Sequence, residues 1–122
     1  MNYIQCIKNL WGDIDVQNWG NLSSYFEPNA VINWPNTKEQ FTVAEFVRAN
    51  AEYPGNWKIT LQRTEEIGNL VISVVLVELE DGDTAFTAVS FFEFQHNLID
   101  RLTEYWGDVA EPPEWRNNMI GK

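Results

Sequence analysis

The residues best suited to do chemistry lie in one stretch near the end of the chain, Ile99-Asp100-Arg101-Leu102-Thr103-Glu104-Tyr105-Trp106-Gly107-Asp108. Its side chains alternate as those of a strand do. Leu102, Glu104 and Trp106 share one face, and Arg101, Thr103 and Tyr105 the other. Glu104 therefore stands among apolar neighbours on a face expected to point inward. A carboxylate in that position is costly unless it is paired, hydrogen-bonded or used. Apolar walls raise a carboxyl pKa by desolvation towards neutrality, where a general acid or base works best. Glu104 is the candidate catalytic residue, acting as a proton shuttle.

The other reactive side chains read differently. Cys6 sits in an apolar helical pattern and is expected to be a small core residue. His96, the one histidine, lies beside Asn97 at a predicted turn and is expected to be solvated. Glu78, Glu80, Asp81 and Asp83 make an acidic hairpin without the preorganised ligands that a metal site needs. The sequence has no His/Cys cluster, Gly-rich phosphate loop or supported Ser-His-Asp arrangement. No metal and no cofactor is expected.

The elements that must position Glu104 follow from the pattern. Tyr3, Ile4, Ile7, Leu10 and Trp11 have helical spacing, and Gly12-Asp13 is expected to interrupt it. Asp15 can then cap a second short helix carrying Val16, Trp19, Leu22 and Phe26, ended at Glu27-Pro28-Asn29. Residues 30–34 read as a short strand stopped by Pro35-Asn36, and residues 39–41 as another. Thr42 with Glu45 three residues on forms a capping box for a third helix, broken at Tyr53-Pro54-Gly55-Asn56. Four long antiparallel strands complete the chain, at residues 57–65, 70–79, 84–95 and 98–106, with Asp81-Gly82-Asp83 and His96-Asn97 as turns. A polar tail with Pro112-Pro113, Trp115 and Arg116 follows.

Helices followed by a run of strands define an α+β domain. At 122 residues the chain is one domain, 1–122. The third long strand places Phe86, Ala88, Ser90, Phe92 and Phe94 on one face, with Ala88 and Ser90 leaving room inside. Trp34 at the Pro turn is a candidate pocket wall and Asn36 an orienting donor. Tyr53 can offer a phenol, and Ser90, Phe92, Leu102 and Trp106 complete the candidate ligand site. The two central strands are apolar on both faces, while three short helices cover only one. A second copy of the chain is the simplest cover for the other.

The formal net charge of −10 argues against nucleic acid and anionic membrane as partners, since both require a positive footprint. A single cysteine rules out an intrachain disulfide framework. No signal-peptide pattern and no membrane-length apolar run is present, so a cytoplasmic protein is expected. Six Trp, four Tyr and seven Phe furnish either a heavily aromatic core or an aromatic-lined cavity.

The element order, with Trp34-Pro35, Tyr53-Pro54-Gly55-Asn56-Trp57, Ser90-Phe91-Phe92-Glu93, Thr103-Glu104-Tyr105-Trp106 and Pro112-Pro113-Glu114-Trp115-Arg116, resembles the nuclear transport factor 2-like superfamily. Within it the likeness is to the small SnoaL-like, polyketide cyclase-like proteins. The resemblance spans nearly the whole chain. It implies a cone: a strongly curved antiparallel sheet wrapped around a pocket, closed by three helices from the first half, and paired as a homodimer through its convex face. Superfamily enzymes include polyketide cyclases, ketosteroid isomerases, scytalone dehydratase and limonene epoxide hydrolases, which transfer protons in an apolar pocket without a cofactor. Glu104 falls where the epoxide hydrolases place a general-base aspartate. The cyclases place their aspartate directly after the strand's tryptophan, where this chain has Gly107, with Asp108 one position later and facing away. The expectation is a cofactor-independent isomerase, cyclase or hydratase acting on a small hydrophobic oxygenated molecule. The alternatives are a non-catalytic homodimeric binding module, which keeps the pocket, and an assembly module, which predicts a filled interior.

Overall fold

The computed structural model describes residues 2–119. Helix α1 runs over Tyr3–Asp15, α2 over Trp19–Leu22 and α3 over Val43–Ala51. The strands are β1 (Phe26–Trp34), β2 (Glu39–Phe41), β3 (Trp57–Ile67), β4 (Leu70–Leu79), β5 (Ala85–Gln95) and β6 (Leu98–Asp108). They form one six-stranded sheet in the order β2-β1-β6-β5-β4-β3. The four long strands pair antiparallel as expected, but β1 joins β6 in parallel, so the sheet is mixed. The last strand in sequence is thus an interior strand of the sheet.

Helix α1 differs from the sequence expectation. It continues through Gly12 to Asp15, and the Asn2 side chain caps its start by accepting from the Gln5 N–H. A glycine costs about 1 kcal/mol relative to alanine in a helix interior. Burial of Trp11 and Ile14 on either side of Gly12 outweighs that cost. Asp15 caps nothing; its Oδ1 accepts the Ile59 N–H at 2.8 Å and ties α1 to β3. Strand β1 also starts earlier than expected, at Phe26, and passes through Pro28. Its pairing with β6 skips from Phe26 to Val31, so Pro28 sits in the irregular stretch, where no ladder hydrogen bond is lost.

Helix α3 forms where the capping box required. Thr42 Oγ1 accepts the Glu45 N–H, and the Glu45 carboxylate accepts the Thr42 N–H at 2.8 Å. The concave face of the sheet carries the core. Val71, Val75, Phe92, Phe94, Ile99 and Leu102 lie beneath Ile7, Leu10, Leu22 and Phe46 of the helical layer. Trp11 crosses that interface and donates from Nε1 to Ser73 Oγ at 3.0 Å, which satisfies a fully buried hydroxyl. On the opposite face Ile72, Val74 and Leu76 of β4 and Val89 and Phe91 of β5 are only partly covered. His96 and Asn97 both take positive φ, 53° and 69°, as a two-residue hairpin turn requires.

Candidate functional site

Glu104 lies near the middle of β6 with 2% of its surface exposed. Both neighbouring strands supply it with a donor. Ser90 on β5 stands directly opposite in register, and its hydroxyl donates to Oε2 at 2.6 Å. On the other side β1 pairs Asn33 with Thr103. The next β1 residue, Trp34, donates from Nε1 to Oε1 at 2.9 Å. Burial pushes the Glu104 carboxyl pKa above its ordinary 4.5, and the hydrogen bonds from Ser90 and Trp34 offset this only in part. Each carboxylate oxygen carries one hydrogen bond from the protein, and no Lys, Arg or His forms a salt bridge to it among the described residues.

The carboxylate borders a cavity of about 270 Å³ between the sheet and the helices. Its wall carries the rings of Trp11, Trp19, Phe46, Tyr53, Trp57, Phe86 and Trp106, with the polar side chains of Gln17, Asn50 and Asn56 among them. A second cavity, of about 300 Å³, is bordered by Trp34, Asn36, Asn50, Trp106 and Asp108. The two cavities share Asn50, Tyr53, Phe86 and Trp106. Gly55 shapes the rim: at φ 103° a side chain there is strained, and a Cβ would stand 2.9 Å from Leu79 and 3.0 Å from the Trp57 ring.

Of the residues singled out from sequence, Glu104, Tyr53 and Trp106 border the first cavity, and Trp34, Asn36, Tyr53 and Trp106 the second. Asn36 acts as an acceptor, its Oδ1 taking the Trp106 N–H at 2.9 Å. Ser90 sits behind Glu104, fully buried, and reaches the cavity only through that carboxylate. Phe92 and Leu102 border neither cavity. Both are fully buried, Phe92 edge-on to Trp11, so the closed end of the cone is solid there. Asp108 borders the second cavity rather than facing away from it.

Sequence reasoning missed Trp11, Trp19, Phe46, Asn50, Trp57 and Phe86. Phe86 had a usable signal, since it shares the face of Ala88 and Ser90, two and four residues further along the strand. The helical residues had none, because their position over the sheet depends on how α1 and α3 dock. Cys6 is half-buried, its thiol pKa raised by burial. His96 is exposed at its turn. No cluster of three or more His, Cys, Asp or Glu that could hold a metal occurs among the described residues.

An α+β arrangement of three helices over a curved, mixed six-stranded sheet is the nuclear transport factor 2-like fold, and this chain has it. Its structural neighbours within that fold are ketosteroid isomerase-like and SnoaL-like proteins. A Kribbella flavida protein provisionally named a ketosteroid isomerase superposes with a TM-score of 0.82 at 25% identity, covering 97% of this chain and 87% of its own. A nuclear transport factor 2-like protein of unknown function from Burkholderia xenovorans matches with a TM-score of 0.80 at 18% identity, over 97% of this chain and 92% of its own. A Shewanella denitrificans protein provisionally named a SnoaL-like polyketide cyclase matches with a TM-score of 0.70 at 13% identity, over 84% of this chain and 88% of its own. No family model and no curated protein matches the sequence.

Proposed function

We propose that the aromatic cavity binds a small, mainly apolar organic molecule and that Glu104 moves a proton on it, in cofactor-independent isomerase, cyclase or hydratase chemistry. One observation carries this reading: a carboxylate with 2% exposure faces a cavity, with no neutralising cation among the described residues. Desolvation raises its pKa, which brings a carboxyl towards the range where it can take and return a proton at neutral pH. Trp34 and Ser90 fix both oxygens, so the ligand meets a preorganised group. Trp106 and Tyr53 are the walls against which the ligand rests.

The test is proton exchange. Small cyclic ketones incubated with the protein in D2O, followed by proton NMR, are expected to lose signal at the carbon next to the carbonyl. Glu104→Gln is expected to abolish the exchange while retaining binding, measured by thermal shift. Binding by both proteins with exchange in neither would replace the enzyme with a non-catalytic binding module, and equal exchange in both would remove Glu104 as the proton carrier. That second reading draws on the two hydrogen bonds Glu104 already accepts.

The convex face supports a further element of the same reading, a homodimer. Ile72, Val74, Leu76, Val89 and Phe91 make a contiguous apolar surface across β4 and β5, and the Phe91 ring meets Tyr105 edge-on at 6.0 Å. A second copy would cover it. None of the described helices is long and apolar enough to cross a membrane. The cytoplasm is the compartment proposed for the protein.

A further inference from the structure

The rings of Tyr53, Trp57, Phe86 and Trp106 on the cavity wall form a continuous arc that extends to Trp34 at the second cavity. Tyr53 stacks on Trp57 with centroids 5.3 Å apart, Trp57 meets Phe86 at 5.4 Å, Phe86 meets Trp106 at 5.0 Å, and Trp106 meets Trp34 at 5.1 Å. Trp34 in turn holds Glu104. The arc and the carboxylate thus belong to one connected assembly, with Trp11 and Trp19 contributed from the helical side. Among the described residues, no Lys, Arg or His borders the cavity. We infer that the cavity is a site for a methylated ammonium cation, a tertiary or quaternary amine headgroup, received by the aromatic arc and Glu104 together.

Three physical arguments converge on that ligand class. Aromatic faces attract cations through their quadrupoles, indole most strongly, and the attraction grows when the site is desolvated. A buried carboxylate with no partner of opposite sign is costly, and an entering cation supplies that partner where a neutral ligand leaves it alone. An anionic ligand would meet both the Glu104 carboxylate and a protein of net charge −10. Methyl substituents suit this wall better than a bare ammonium does. A primary ammonium brings three donors that all need acceptors, whereas methyl groups pack against rings without any.

The inference rests on the reading that this cavity is the ligand site, and two probes of one shape separate the ideas. Choline carries a permanent charge, and 3,3-dimethylbutan-1-ol is its uncharged carbon isostere. Each is titrated into the protein by calorimetry and by quenching of tryptophan fluorescence. Choline is expected to bind tighter than the isostere by at least about tenfold, the factor that ~1.4 kcal/mol represents. Glu104→Gln is expected to erase most of that preference while leaving isostere binding in place. Trp57→Leu is expected to weaken choline more than the isostere, which gives a second handle should the Gln variant fold poorly. Equal or tighter binding of the isostere by the wild-type protein would overturn the cation assignment and leave the cavity as a ligand site. Absence of binding by both probes would overturn the ligand site as well.

Discussion

Replacing Glu104 by alanine and by glutamine should have very different consequences for stability. In Glu104→Ala the Trp34 N–H and the Ser90 hydroxyl both lose the acceptor that now stands 2.9 and 2.6 Å away. A buried polar group left without a partner costs about 1–3 kcal/mol. The Ser90 hydroxyl can rotate towards another acceptor, but the indole N–H cannot. The expected loss is about 2–4 kcal/mol in chemical denaturation at pH 4, where the lost carboxyl is largely uncharged. Glutamine keeps the shape and the bonding: its Oε1 accepts from Trp34 and its amide donates to Ser90 Oγ. At pH 4 it should sit within about 1 kcal/mol of wild type, as shape-conserving replacements do.

The pH dependence gives the sharper discrimination. Burial holds the folded-state pKa of Glu104 above its ordinary 4.5, so the folded protein binds the proton more tightly than the unfolded chain. Stability from this group is complete below the unfolded value. It declines as pH rises through the interval between the two pKa values and is lost above the folded one, at about 1.4 kcal/mol per unit of separation. Glutamine has no such term. The stability of Glu104→Gln minus that of wild type should therefore rise with pH across that interval and then level off. Denaturant midpoints taken from pH 4 to pH 9 measure it. A flat difference, or one that falls with pH, would refute the argument that desolvation dominates this carboxyl.

Trp11→Phe removes the indole N–H that satisfies the fully buried Ser73 hydroxyl at 3.0 Å and should cost about 1–3 kcal/mol; the paired change Trp11→Phe with Ser73→Ala should recover part of the loss in a double-mutant cycle. Thr42→Ala breaks the capping box of α3 and should cost about 1 kcal/mol, read from thermal or denaturant unfolding. Val89→Lys with Phe91→Lys places charges on the partly covered face of β5, and light scattering should then report a monomer where the wild-type chain is expected to give a dimer; a wild-type monomer would remove the dimer proposal.

The parts of this fold that are written locally were legible. The capping box announces α3 because the Thr42 and Glu45 partners lie three residues apart. Alternation in β5 and β6 placed Ser90 and Glu104 on the inner face, because a strand's period of two survives any pairing. What depends on distant partners was hidden. Parallel pairing of β1 with β6 joins residues about seventy positions apart, and no turn signals it. The expected roles of Phe92 and Leu102 in the cavity wall differ from their positions for the same reason. The inner face was readable, but the depth at which α1 fills it was not. Gly12 misled because its cost is small and the apolar residues flanking it are buried together.

The placement of β6 has a consequence for the order in which this molecule can come into being. During synthesis β1 and β2 emerge early and β5 much later, yet neither neighbour of β6 touches the other until β6 arrives between them. The final strand brings Trp34 and Ser90 to the same carboxylate in one event. Pairings so distant in sequence carry a large loop-closure cost and fold slowly. A ribosome-bound chain that stops short of Glu104 can form the β3–β5 meander but not the two-sided hold on the acid. The buried acid is thus the keystone of assembly, and arrest-peptide force measurements should place the main folding transition after β6 has cleared the exit tunnel.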